Sequence, residues 1–158
     1  MPPFMTEEDF LKQDKTAQNI VTSTELLSIP KLPKRLTIIG AGVIGMEFAS
    51  AFSAFGSEVT VIEFMKECLP PIDSDIAKRL RKILEKRGVT FYMQSAVKKI
   101  VSPSESEQAH TTVIFDKKGK ETSVETDLVL IATGRQANID NIGLESTGIE
   151  TNGRAIVV

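Results

Sequence analysis

At 158 residues, with 41% apolar and 25% charged residues, the chain has the makeup of a soluble globular domain with room for a real core, and is too short for a two-domain cofactor enzyme of ordinary size. A formal charge of -2 and a pI near 5.5 give no general attraction to nucleic acid or to an anionic membrane. No apolar run approaches the roughly 20 residues that span a bilayer, no basic-then-apolar leader opens the chain, and the single cysteine, Cys68, excludes an internal disulfide or a multi-cysteine metal site. A cytoplasmic protein is the expectation.

Residues 1–20 are polar and mixed, with Pro2 and Pro3 ahead of a charged run. They read as a tail or the remnant of a flanking domain, in which Phe4, Phe10 and Leu11 could anchor a short helix. Thr22 and Glu25 have the spacing of a capping box and predict one or two helical turns over Ser23 to Ser28. Pro30 and Pro33 then halt regular structure. Leu36 to Ile39 is rich in β-branched residues and ends abruptly in glycine, the mark of a buried strand entering a tight turn.

A helix follows, with Ile44, Phe48, Ala51, Phe52 and Phe55 at intervals of three or four as its expected buried face and Gly56 as its stop. Val59 to Ile62 is a second apolar strand, closed by Glu63. Beyond a connection from Phe64 to Pro71, Asp73 is placed to cap another helix, with Ile76, Leu80, Ile83 and Leu84 as its stripe and the cationic residues Lys78, Arg79, Arg81 and Lys82 in water. Gly88 ends that helix, and Val89 to Met93 completes a βαβαβ order. From Val97 to Thr126 the period changes to alternation around polar breaks, predicting a three-stranded antiparallel meander whose hairpin turns at Asp116 to Lys120. Ser102 to Ala109 is its polar loop. Leu128 to Ala132 is apolar enough to return to the parallel sheet. Residues 133–153 are linker-like, and Ile156 to Val158 opens a last strand.

The stretch from Leu36 to Glu63 carries the chemistry. Gly40, Gly42 and Gly45 form a GxGxxG between strand and helix, and Glu63 lies 23 residues beyond Gly40. Gly40 can turn without a Cβ penalty, Gly42 lets the backbone approach a pyrophosphate, and Gly45 permits close helix–strand packing. The helix N-terminus offers free N–H groups and a positive dipole end. A carboxylate at Glu63 can accept the ribose hydroxyls of adenosine and disfavours a 2′-phosphate. No arginine cluster follows in Phe64 to Glu67, so NAD is expected rather than NADP. The fold class expected is α/β, a Rossmann-like βαβαβ parallel sheet with crossover helices and an antiparallel meander.

From about Ile20 to Val158 the chain resembles the central NAD-binding domain of the FAD-dependent pyridine nucleotide-disulfide oxidoreductases, in particular their dihydrolipoamide dehydrogenase branch. The resemblance rests on IVTSTELL, IIGAGVIGMEFASAFSAFGSEVTVIE, MKECLPPIDSDIAKRLRKILEKRGV and DLVLIATGRQANIDNIGLESTGIE. It implies that NAD is held by the turn Gly40, Ala41, Gly42, the helix start Val43, Ile44, Gly45, and Glu63. It also implies that Glu47 lies by the nicotinamide and that Val43 stands where relatives often have a tyrosine over the flavin. Ala132, Thr133, Gly134 and Arg135 would sit at the junction with a flavin domain. The proline usual before Asn138 is Ala137 here. The family arrangement further implies an NAD-binding domain over 21–133, a return segment over 134–158, and flavin and dimerisation domains as partners outside this chain. Residues 1–35 have no room for a flavin fingerprint, the CxxxxC redox pair is absent, and no His-Glu pair follows Val158. FAD is therefore expected only in an intact parent, and an excised domain or gene fragment with no catalysis of its own is the expected status of the 158 residues.

Plainer readings stand beside these. Glu63 could be an ordinary strand-end carboxylate, Glu47 an exposed helix residue, Arg135 structural, Cys68 a surface or packing cysteine, and His110 solvent-facing. A stand-alone nucleotide-binding module, or a fingerprint that holds the ADP part of FAD, would satisfy the same glycine and acid physics. Neither a nucleic-acid nor a membrane partner is expected.

Overall fold

The computed structural model describes residues 19–103, 110–135, 137–139, 142–152 and 156–157. The helix considered for Phe4 to Leu11 and most of the polar loop at 102–109 lie outside them. The elements are β1 (Ile20–Val21), α1 (Ser23–Leu26), β2 (Arg35–Ile39), α2 (Val43–Ala54), β3 (Glu58–Ile62), α3 (Ser74–Lys86), β4 (Thr90–Tyr92), β5 (Ser95–Val101), β6 (Thr111–Lys117), β7 (Lys120–Thr126), β8 (Leu128–Ile131) and a 3₁₀ turn at Leu144–Ser146. Five parallel strands form one sheet in the order β1-β8-β2-β3-β4, and β5-β6-β7 form a second, antiparallel sheet. The Rossmann-like sheet and the meander are thus both present as expected.

The parallel strands are apolar throughout because both of their faces are covered, as is usual for such sheets. Strict alternation assigns the side chains to opposite layers. Leu36, Ile38, Val59, Val61 and Leu130 face the helices, together with Met46, Ala49 and Phe52 of α2 and Ala77 and Leu84 of α3. Ile20, Ile39, Ile62 and Val129 face the meander and pack on Val113 and Phe115 of β6. The meander therefore covers the face opposite the helices while the chain crosses from β4 to β8. Tyr92 on β4 meets Phe115 with ring centroids 4.9 Å apart, and the Lys117 ammonium lies 4.8 Å from the centre of the Tyr92 ring. These contacts join the two sheets at the β4 edge.

The return from meander to parallel sheet is held by charge. Arg35 opens β2, and its guanidinium donates to Asp127 Oδ1 at 2.7 and 3.2 Å while its backbone N–H donates to Oδ2 at 2.9 Å. Thr126 donates its hydroxyl to the carbonyls of Arg35 and Leu128. With Asp127 clamped on Arg35, β8 enters the sheet beside β2 in register, Leu36 opposite Leu128.

Several sequence expectations are adjusted by the packing. Two residues, Ile20 and Val21, form the edge strand β1 on β8, a strand too short for any periodicity to reveal. The helix after Thr22 ends at Leu26, with Thr22 N–H donating to the Glu25 carboxylate at 2.8 Å. On α2 the buried residues are Gly45, Met46, Ala49 and Phe52, while Phe55 is 67% exposed. This helix is apolar on nearly every side, so its periodicity does not select a face. On α3 Asp73 caps as expected, accepting from Asp75 N–H at 2.9 Å. The buried residues there are Ala77 and Leu84, with Leu80 partly buried and Ile76 and Ile83 exposed. The buried line runs through Ala77, Leu80 and Leu84, which leaves Ile76 and Ile83 on its exposed flanks. The hairpin closes more tightly than expected, through Lys118 and Gly119 alone, at φ +56° and +81°. Both signs match the primed turns that follow strand twist. Near the end of the chain, Thr151 and Ile156 form an antiparallel bridge, and the strand expected over Ile156 to Val158 lies partly outside the described residues.

Gly40 and Gly45 decide where α2 sits. Gly40 has φ +105°, and a Cβ there would overlap the Ala132 carbonyl, whose carbon would lie at 2.7 Å. A Cβ on Gly45 would overlap the Gly40 carbonyl oxygen and lie 3.4 Å from Ile38 Cγ2. Gly45→Ala gains about 1 kcal/mol of helix propensity but forces backbone apart in a close-packed layer, at about 2–4 kcal/mol. The variant should therefore unfold at clearly lower urea concentration than the wild type; an equal or higher midpoint would contradict this packing.

Candidate functional site

The topology places a crevice at one end of the sheet. β2 is central, β3 and β4 extend from it one way, and β8 lies on its other side, so the order reverses between β2 and β8. Open α/β sheets bind ligands outside the carboxyl ends of their strands at such a point. A cleft of about 540 Å³ lies there, with Gly40 and Gly42 after β2, Glu63 after β3, and Ala132, Thr133 and Gly134 after β8 on its walls.

Gly40 N–H donates to Ile62 O at 2.9 Å and Ala132 N–H to Ile39 O at 2.8 Å, so the turn and the β8 exit are fastened to the sheet on both sides. Gly42 is the N-cap of the 12-residue helix α2 and, being glycine, supplies no capping side chain. The first-turn N–H groups of a helix have no intrahelical partner, and here no side-chain cap engages them. Space decides the three glycines differently: Gly40 and Gly45 are pressed against backbone, whereas the Cβ direction of Gly42 meets nothing within 4 Å. Gly42 itself is part of the cleft wall.

Glu63 is 9% exposed and follows β3 directly. Its Oε2 accepts Ala41 N–H at 2.5 Å and its Oε1 accepts Met65 N–H at 2.7 Å. Each carboxylate oxygen has room for a second donor, so the group is oriented by backbone without being used up. It is more than an ordinary strand-end acid, because it holds the glycine turn in place.

The remaining site candidates divide cleanly. Ala41 is buried behind the turn, and Gly45 lies beneath Gly40. Val43, 51% exposed, and Glu47 lie one helical turn apart on the open side of α2, with Ile44 half-buried between them. Arg135 is exposed and stands off the cleft wall. His110 is exposed, 3.6 Å from Asp127 at the opposite end of β8. Other wall residues escaped the sequence reading: Ser95, Ala96 and Val97 at the start of the meander, and Phe64, Met65 and Pro70 from the β3–α3 connection. The paired prolines after Leu69 were their one local signal.

That connection is ordered. Leu69 is buried with φ +51°, and its N–H donates to Ala41 O at 2.9 Å. Cys68 is a packing cysteine, 1% exposed, its thiol directed at Ala77 O, 3.4 Å away. Glu67 receives the Arg81 guanidinium at 2.7 and 3.0 Å, which places Arg81 in an ion pair where the sequence pattern assigned it to water. Among the described residues no cluster of three or more His, Cys, Asp or Glu is placed to hold a metal ion, and no helix is long and apolar enough to cross a membrane. Burial, with the neighbouring Glu67 charge, pushes the Cys68 thiol up to about 11. At pH 8 about one thiol in a thousand is ionised, so an aromatic disulfide reagent should leave Cys68 unmodified in the native protein and label it fully in denaturant. Rapid native labelling would be inconsistent with this packing.

Comparison with known proteins agrees with this architecture. Residues 2–158 match the family described as pyridine nucleotide-disulphide oxidoreductase. The chain is 37% identical over 135 residues to a mitochondrial dihydrolipoyl dehydrogenase of Dictyostelium discoideum, covering 85% of this chain and 28% of that protein. It is 41% identical over 131 residues to dihydrolipoyl dehydrogenase of Acholeplasma laidlawii, covering 83% and 36% respectively. The solved structure of the HOCl-induced flavoprotein disulfide reductase RclA from Escherichia coli superposes with a TM-score of 0.74 at 36% identity, covering 90% of this chain and 32% of that one. The chain thus spans about a third of the length of these relatives. With the crevice at the strand-order reversal, the glycine turn and the oriented carboxylate, it belongs to the pyridine nucleotide-disulphide oxidoreductase family, as a dinucleotide-binding module of the dihydrolipoamide dehydrogenase-like flavoproteins.

Proposed function

We propose that this chain holds NAD(H) for a dihydrolipoamide dehydrogenase-like flavoprotein, with the pyrophosphate on the Gly40–Gly42 turn and the N-terminus of α2. The observation that carries this reading is the contrast between Gly42, open within 4 Å, and Gly40 and Gly45, both pressed on backbone. A glycine retained where a side chain would fit is expected where another molecule approaches the main chain.

The residues present suit that ligand. The uncapped first turn of α2 offers N–H donors and a positive dipole end to a pyrophosphate. Glu63 is oriented to accept ribose hydroxyls through the lone pairs its backbone partners leave free, and its charge opposes a 2′-phosphate. Phe64 and Met65, 73% and 49% exposed beside the cleft, supply apolar surface for a base. Thr133, Gly134 and Arg135 follow β8 toward the part of the whole protein that would carry the flavin, and Glu47 and Val43 offer the open flank of α2 to the nicotinamide end. The chemistry supplied there is hydride transfer at a nicotinamide, to or from a flavin held elsewhere in the enzyme. A nicotinamide delivers hydride only to an acceptor held against it, and the flavin belongs to the rest of the enzyme in this reading, so binding without diaphorase turnover is the expectation for these 158 residues by themselves.

Titration with NADH, followed by nicotinamide fluorescence, should show saturable binding. Loss of hydrogen bonds to a charged acceptor is worth about 1.5–3 kcal/mol, so Glu63→Ala should raise Kd roughly tenfold to a hundredfold. Gly42→Ala should weaken binding sharply at only the small cost in melting temperature of losing glycine at an N-cap, because an added Cβ meets no protein atom within 4 Å. Absence of saturable binding at about 1 mM NADH, a concentration matched to very weak affinity, would overturn the reading.

A further inference from the structure

The β3–α3 connection does more than join two elements, and its role follows from how it grips the glycine turn. Ala41 is held at both ends by this one segment: its N–H donates to the Glu63 carboxylate at 2.5 Å, and its carbonyl accepts Leu69 N–H at 2.9 Å. The peptide group is planar and trans, so the Ala41 carbonyl and the Gly42 N–H are rigidly opposed across one bond. Whatever fixes the first aims the second, and Gly42 N–H belongs to the turn that opens on the cleft.

Leu69 makes this bond from a conformation that a bulky residue rarely adopts, φ +51°. Such a residue stays there only where its surroundings over-determine it. Downstream, Ile72 N–H donates to Leu69 O at 2.8 Å. Upstream, Cys68 N–H donates to Glu67 Oε1 at 3.1 Å, and the Glu67 carboxylate is gripped by the Arg81 fork at 2.7 and 3.0 Å. Arg81 also donates to Glu85 at 2.6 Å, which fixes the guanidinium on the surface of α3. The two partners of the fork are only 21% and 17% exposed, so water screens them little. The hydrogen bond from Arg81 holds the Glu67 carboxyl below its ordinary range, in keeping with a formed pair.

We infer that Arg81 and Glu67 are positioning residues for dinucleotide binding, acting through Leu69 on the Ala41–Gly42 peptide from outside the cleft. The inference rests on the proposed NAD(H) site. With the fork broken, Glu67 loses its anchor on α3 and Cys68 keeps only its buried thiol against Ala77, so the backbone restraint on Leu69 loosens, Leu69 relaxes toward negative φ, and its N–H leaves the Ala41 carbonyl. The Gly42 N–H then samples other directions, and the pyrophosphate meets a turn that must first be ordered.

The test compares NADH affinity with amide exchange in the wild type and in Arg81→Met, Glu67→Gln and Arg81→Lys. Glu67→Gln preserves shape and guards against failure of the larger change to fold. Arg81→Met and Glu67→Gln should each raise Kd about threefold to tenfold, the scale of a partly buried bidentate pair. The double variant should be no weaker than either single one, and Arg81→Lys should recover part of the loss. Exchange at the Leu69 amide should accelerate, while the Gly40 amide, bonded to Ile62 O, keeps its protection. Unchanged Kd in the variants, unchanged Leu69 protection, or loss of protection at Gly40 and Leu69 alike would overturn the positioning role. A wild-type chain that binds no NADH would overturn the dinucleotide reading itself, which separates the two failures.

Discussion

The structure turns on one point of main-chain contact at the carboxyl end of β2. Gly40, at φ +105°, brings its carbonyl under Gly45 and its α-carbon against Ala132. Three elements, β2, α2 and β8, meet there with no side chain between them. The approach of α2 sets which of its residues enter the core. The approach of β8 closes the parallel sheet on the side where strand order reverses. Any Cβ at either glycine would push one of these elements away, and the cleft would lose a wall.

Around this point, polar restraint and apolar packing have separate tasks. The two faces of the parallel sheet are held by dispersion and burial, with helices on one side and the meander on the other. The ends of the strands are held by a few directional contacts: Arg35 with Asp127 at the entry of β8, and Glu63 with Ala41 and Met65 at the exit of β3. Apolar packing tolerates small slides, whereas these hydrogen bonds define register and the direction of individual peptide groups. A site that presents backbone N–H groups to a ligand depends on the second kind of restraint. In the proposed NAD(H) site Glu63 would therefore serve twice: the carboxylate that would receive ribose also holds the turn that would face the pyrophosphate.

Much of this was readable in the residues. Strand β2, the glycine turn, α2 with its stop at Gly56, β3 and Glu63 follow from local chemistry in the expected order, and so do the Asp73 cap and the meander. What escaped was non-local. β1 is two residues long and exists because β8 offers it hydrogen bonds. The faces of α2 and α3 were read correctly at Phe48, Ala51, Phe52, Leu80 and Leu84 and misjudged at Phe55, Ile76 and Ile83, which have the hydrophobicity of core residues without the position. Arg81 lies among cations on a helix that reads as solvated, and only the fold of the β3–α3 connection brings Glu67 to it.

By itself, the amino-acid sequence determined the kind of fold and pointed to the ligand chemistry proposed for it. Glycine spacing, strand composition and a terminal acid are local properties that act wherever they occur in this order. The tertiary structure alone decided which glycine is open, which backbone groups engage the two Glu63 oxygens, and which distant residues hold the turn. Those outcomes depend on distances between segments far apart in the chain, and no residue encodes them until the layers have packed.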